Sequence, residues 1–177
     1  MLKTISFLVA LFALAIAIVL GLALSKPDKF RVERKITINA PPAEILPLIN
    51  DLHRWRGWSP YETKDLAMTR TYSGAPSGKG AIYQWSGNKY VGSGRMEIID
   101  STPTRIVLKL DFIAPFESHN ICEFTLRPQG DATEVTWSMH GPTPLLSKVM
   151  QVFLDMDRMI GDDFAGGLAR LKAIAER

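Results

Sequence analysis

Hydrophobic and polar positions follow three successive patterns along this chain. The first is a run from Ile5 to Leu24 with no charge, interrupted only by Ser6 and Gly21. At about 1.5 Å per residue those twenty residues reach roughly 30 Å, the thickness of a bilayer's hydrocarbon core. This predicts an uncleaved membrane anchor. The apolar core of a signal peptide usually spans about 7–15 residues behind a distinctly basic start, and here one lysine, Lys3, precedes a longer run. The alternative, a signal peptide removed at a small-residue site such as Ala23-Leu24-Ser25, stays open. A core helix apolar on every side would need a larger domain around it.

The second pattern has the period of a strand. Val32, Ile36 and Ile38 alternate with Arg31, Glu33, Lys35 and Thr37, and Asn39-Ala40-Pro41-Pro42 ends the alternation. Prolines are tolerated at a helix start, and Ile45, Leu48, Ile49 and Leu52 form the buried stripe of a helix predicted over Pro42–Leu52. The tryptophan-rich stretch Trp55–Pro60 reads as a second short helix or turn. Six alternating segments follow: Ala67–Tyr72, Ala81–Ser86, Tyr90–Asp100, Arg105–Ile113, Glu117–Arg127 and Thr133–His140. They are separated by turn residues such as Gly74-Ala75-Pro76-Ser77-Gly78 and Pro128-Gln129-Gly130-Asp131. An antiparallel meander is expected, with one dry face carrying Tyr83 and Trp85, Met96 and Ile98, Ile106 to Phe112 at every second residue, Cys122, Phe124 and Leu126, and Val135, Trp137 and Met139.

The third pattern is helical. Leu146, Met150, Phe153, Met156, Ile160, Phe164, Leu168 and Leu171 recur at intervals of three or four, which predicts one long helix between Thr143 and Glu176 that covers the dry face. Gly161, Gly166 and Gly167 each lower helicity by about 1 kcal/mol, so a break or a close approach to the sheet is expected near them.

Composition narrows the function. The chain has 177 residues, 46% of them hydrophobic and 22% charged, which suits one globular domain with a short appendage. Of 21 lysines and arginines one, Lys3, precedes the apolar run, leaving 20 against 18 acidic residues with no long run of one sign. Nucleic-acid binding therefore lacks its electrostatic footprint. The basic cluster Lys26, Lys29, Arg31, Arg34 and Lys35 reads either as a strip meeting anionic head groups or as a solvated strand face. It draws its flank to the cytoplasmic side while Lys3 draws the other, so the side of the soluble domain stays open. Cys122 is the only cysteine, which excludes an intrachain disulfide and a cysteine-rich metal site.

Four motifs in order carry a family resemblance: Ile36-Thr37-Ile38-Asn39-Ala40-Pro41, Asp51 with Trp55 and Trp58-Ser59-Pro60-Tyr61, Val91-Gly92-Ser93-Gly94-Arg95-Met96, and Met159-Ile160-Gly161 with Gly167-Leu168. From about Phe30 to Glu176 the chain resembles the START-like (SRPBCC, helix-grip) superfamily, within it the bacterial polyketide cyclase/dehydrase and lipid-transport group. The expected fold is thus α+β, a curved antiparallel sheet of about seven strands wrapped on a long C-terminal helix, plus one N-terminal transmembrane helix. The expected organisation is an anchor over 1–25, a linker over 26–29 and a START-like domain over 30–177. The resemblance implies a cavity between sheet and helix for a lipid or other hydrophobic small molecule, and no catalytic residue carries over with it.

The expected cavity lining is Tyr83, Trp85, Met96, Leu108, Asn120, Trp137, Met139, Met150 and Phe153. Asn120 stands out, because a buried amide without a partner costs about 1–3 kcal/mol and must pair with backbone, hold water or meet a ligand. The methionines suit either an adaptable pocket or ordinary core filling. No metal or cofactor is expected: His53, His119 and His140 lie in three separate segments without metal-ligand spacing, and Asp155, Asp157, Asp162 and Asp163 read as a solvated helix face. The loop Gly74–Gly80 lacks the hydroxyl residue after its lysine that a phosphate loop needs, and Gly92-Ser93-Gly94 lacks a nucleophile elbow. The function expected is a module anchored in a bacterial-type inner membrane through residues 5–24. Its rivals are an enzyme of cyclase, dehydrase or hydrolase type and a scaffold for a protein partner.

Overall fold

The computed structural model describes residues 2–177, with side chains from Thr4 onward, so the side chain of Lys3 used in the orientation argument lies outside the described residues. The chain forms two compact units. One comprises the segment through Phe30 with Pro142–Met156; the other comprises Arg31–Gly141 with Asp157–Arg177.

In the first unit, α1 (Leu2–Leu24) has a stretch, Thr4–Leu24, with a mean hydropathy of 3.0 and the length and composition of a membrane span, a test that signal sequences also pass. From Thr4 onward its side chains are exposed except for Val19 and Ala23, one helical turn apart, and it packs on α4 (Leu145–Phe153).

The second unit carries seven strands: β1 (Lys29–Ile38), β2 (Thr69–Gly74), β3 (Ala81–Ser86), β4 (Ser93–Thr102), β5 (Arg105–Ala114), β6 (Ser118–Gln129) and β7 (Ala132–Pro142). They form one sheet in the order β1-β7-β6-β5-β4-β3-β2, antiparallel from β2 through β7. A bulge between Ile98 and Asp100 bends β4. Trp85 lies across Gly94, where any Cβ would overlap the indole ring, so the glycine serves a close approach within the sheet.

Between β1 and β2 stand α2 (Pro42–Asn50), a 3-10 turn (Leu52–Gly57) and α3 (Tyr61–Lys64). The tryptophans tie these together. Trp55 Nε1 donates to the Ile49 carbonyl at 2.8 Å and Trp58 Nε1 to that of Leu48 at 2.9 Å, so carbonyls left over at the end of α2 are satisfied while both rings are buried. Asp51 ends α2 and caps the turn by accepting from the His53 amide at 3.0 Å.

The single closing helix expected from Thr143 to Glu176 is two helices. After α4 the backbone is extended at Leu154, and α5 (Met156–Ala175) begins beyond Asp155. The break lies at an aspartate suited to a helix start, with Asp157 in the first turn to complement the dipole, and not at the glycines. Gly161 and Gly167 serve close contact instead, while Gly166 faces open space. The Arg34 guanidinium crosses α5 at Gly161, hydrogen-bonded to Asp157 at 2.9 Å, and Trp137 and Pro60 pack on Gly167. Arg34 therefore shares the inward phase of β1 with Val32 and Ile36. Phe164, Leu168 and Leu171 bury the face of α5 that meets the sheet, and the whole is a helix-grip.

Candidate functional site

The concave face of the sheet divides into a packed end and a polar end. At the packed end, Trp137 stacks on Phe164 at 4.0 Å between ring centroids and 8° between planes, and on Phe124 at 5.0 Å, with Trp55 and Trp58 edge-on at 6.2 and 5.5 Å. Ile106, Leu108 and Leu126 complete it. Leu108 and Trp137, expected to line a cavity, stand in this aromatic core, because α5 and the 3-10 turn both press on β6 and β7 there.

At the polar end Tyr83, Trp85, Met96, Asn120 and Met139 share the concave face, brought together by the pairings Tyr83 with Met96, Leu110 with Asn120, and Cys122 with Met139. Asn120 is 5% exposed. Its Nδ2 donates to Ser118 Oγ at 3.2 Å, while Oδ1 is buried with no hydrogen-bond partner among the described residues. Gly141 makes room for that oxygen, since a Cβ there would collide with it. Met150 and Phe153, also expected in the lining, are instead on α4 in the first unit, where Phe153 is exposed. The helix break at Leu154 puts both on a different helix from α5.

Three polar residues at this end went unassigned in the sequence. Glu62 of α3 is buried. Its Oε2 accepts from Arg70 Nε at 2.6 Å and its Oε1 from the Tyr83 hydroxyl at 2.7 Å. Arg70 also donates to the Met68 carbonyl at 2.6 Å. The available signal was phase: Arg70 pairs with Trp85 and Tyr72 with Tyr83, so an arginine points to the dry side and requires a carboxylate. The bond to Glu62 holds the Arg70 guanidinium above its ordinary pKa. Tyr72 stacks on the His53 ring at 3.9 Å and packs tilted against Tyr83 at 5.1 Å, with its own hydroxyl buried and unpaired among the described residues. Leu52, His53, Tyr72, Gly74, Pro76 and Ile82 line a cleft of about 170 Å³ there.

Burial pushes the Cys122 thiol up to about 12, even though Trp137 Nε1 donates to its sulfur at 2.9 Å. A neutral thiol is a poor nucleophile. Burial also raises the phenols of Tyr61 and Tyr83, with the nearby Asp163 and Cys122 adding for Tyr61 and the Glu62 hydrogen bond adding for Tyr83. Each group holds its proton more tightly folded than unfolded. Their stabilisation is therefore full below the unfolded pKa, 9.0 for the thiol, and lost as pH rises toward the folded value near 12. Urea denaturation should accordingly show stability falling between about pH 9 and 12, with a shallower fall in Cys122→Ala. An equal slope in that variant would show that the thiol is not the group titrating.

Residues 29–176 match the profile of the family described as polyketide cyclase / dehydrase and lipid transport. The chain belongs to this family. A solved structure from Thermobifida fusca shares the fold at a TM-score of 0.62 and 20% identity, over 82% of this chain and 92% of its own. Protein CV1439 from Chromobacterium violaceum gives 0.58 at 15% identity, over 86% and 99%. DynU16, of the dynemicin biosynthetic locus, gives 0.55 at 19% identity over 85% of this chain and 48% of its own length. At such identities the likeness is one of fold. No curated protein matches the sequence.

Within this polyketide cyclase/dehydrase and lipid-transport domain His53 and His119 are engaged with carboxylates at the surface, whereas His140 Nδ1 is buried without a hydrogen-bond partner among the described residues. His119 Nδ1 meets Asp111 Oδ1 at 2.7 Å, His53 Nδ1 meets Asp51 at 3.1 Å, and Lys64 meets Asp163 at 2.5 Å. Among the described residues no three His, Cys, Asp or Glu side chains stand together as a metal site. The concave face carries the unpaired amide oxygen of Asn120, aromatic rings, thioethers and the Glu62–Arg70 pair.

Proposed function

We propose that the protein is a single-pass module that binds a lipid or other hydrophobic small molecule in the interior of its helix-grip, anchored in a bacterial-type cytoplasmic membrane by residues 5–24. The unpaired, buried Oδ1 of Asn120 carries the reading. A polar atom in that position costs about 1–3 kcal/mol unless something hydrogen-bonds to it. A guest with an apolar body and a hydroxyl head would satisfy the amide while lying against Tyr83, Trp85, Met96 and Met139. Family membership supports the class of guest, and the length and composition of Thr4–Leu24 support the anchor. An anchor would keep the pocket within a short linker of a lipid reservoir and raise the effective concentration of guest.

The full-length protein, purified in detergent and extracted with organic solvent, is expected to release a stoichiometric apolar molecule identifiable by mass spectrometry. Asn120→Leu should bind that molecule about tenfold more weakly, the equivalent of about 1.4 kcal/mol for one hydrogen bond. Equal affinity would remove Asn120 from the site. An empty extract, together with no binding across a lipid panel, would remove the function.

A further inference from the structure

Helix α4 is amphipathic in the wrong sense for a water-soluble protein. At 100° per residue Leu145, Leu146, Val149 and Phe153 fall within one arc of about 100°, and Ser147, Lys148 and Gln151 occupy the opposite side. The apolar arc faces outward: Leu145 is 51% exposed, Leu146 55% and Phe153 69%. The polar arc faces inward, with Lys148 only 8% exposed and its Nζ 2.5 Å from Asp28 Oδ1. Water would favour the reverse orientation, since a packed helix normally turns its apolar stripe inward.

The neighbour of α4 in its own unit explains the inversion. It packs on α1, whose half-buried Val19 and buried Ala23 lie in the last two turns, next to the end of the apolar run. Elsewhere α1 exposes apolar side chains, Leu20, Leu22 and Leu24 among them, so two helices packed on each other both carry exposed apolar side chains. Apolar exposure of this kind marks an interaction site. A helix of nine residues, about 14 Å long, fits the layer between head groups and acyl chains.

We infer that α4 is an interfacial membrane helix whose exposed Leu145, Leu146 and Phe153 lie in the lipid beside the end of α1, with Lys148 turned inward to Asp28. This rests on the reading of α1 as a membrane span. The consequence is a second, non-spanning point of membrane attachment in the stretch that precedes the closing helix α5.

Single cysteines at Leu146→Cys, Phe153→Cys, Leu14→Cys and Asp131→Cys, in a full-length Cys122→Ala background, test this after labelling with an environment-sensitive fluorophore. The protein is reconstituted in phosphatidylcholine–phosphatidylglycerol vesicles carrying nitroxides at shallow or deep acyl positions. Labels at 146 and 153 are expected to be quenched severalfold more by shallow nitroxides than the label at 131, and to resist aqueous iodide. The label at 14 should respond to the deep nitroxide. If 14 responds and 146 and 153 behave like 131, α4 is not in the lipid and the proposal falls while the anchor stands. Protection from both quenchers at 146 and 153 would mean that a protein surface, such as a second copy of the chain, covers α4, which also overturns it. Failure at 14 would overturn the anchor and this inference with it.

Discussion

Replacing Glu62 with leucine is expected to lower stability by about 3 kcal/mol, read as a fall in the urea midpoint with an unchanged slope. The substitution strands Arg70. Its guanidinium stays charged at any accessible pH, and only 12% of its side chain is exposed. Without Glu62 it keeps the Met68 carbonyl, while the Tyr83 hydroxyl loses its acceptor. The expected cost lies at the low end for a buried pair because β2 is an edge strand from which Arg70 has a route to water. Removing both charges in Glu62→Leu/Arg70→Met should recover most of the loss, since a buried pair returns little more than its own desolvation. A neutral single variant would show that Arg70 leaves the interior without penalty and that the pair does not shape the polar end.

Trp137→Ala is expected to cost more, about 4 kcal/mol, and to lower the melting temperature on the order of 10 °C for a domain of this size. Trp137 is where strand β7, the 3-10 turn and α5 meet, in face-to-face contact with Phe164 and Phe124. Four aromatic neighbours cannot close on the space an indole leaves. The Cys122 sulfur would lose its only side-chain hydrogen bond among the described residues as well. Differential scanning calorimetry against the exposed control Leu66→Ala checks this. A loss no greater than that of the control would mean that the packed end collapses readily and does not set the position of α5.

Much of the architecture was legible in advance. The alternation along β3 to β7 assigned the concave face correctly, and the turn residues placed the reversals to within a few positions. Asn120 could be singled out as well, because its phase put a polar amide among Cys122, Phe124 and Leu126. What failed was the inference from a continuous apolar stripe to a continuous helix. Leu146, Met150 and Phe153 have the same spacing as Phe164, Leu168 and Leu171, yet the two sets belong to different helices in different units. Arg34 reads in the sequence as one of a basic cluster, and nothing in the local pattern singles out Glu62 or Arg70, yet all three are drawn into the structure by partners far along the chain or across the fold.

The apolar N-terminal helix, the α+β class, the seven strands and the dry side of every strand but β2 could be read from the chain alone, because the period of apolar residues records how an element divides its faces. What stands opposite those faces emerged from the folded chain: the aromatic core around Trp137, the Glu62–Arg70 pair, the unpaired oxygen of Asn120 and the outward apolar arc of α4. Periodicity is a local property of the backbone. The partner of a buried charge and the covering of a face depend on residues far apart in the chain, and no local pattern records which of them will meet.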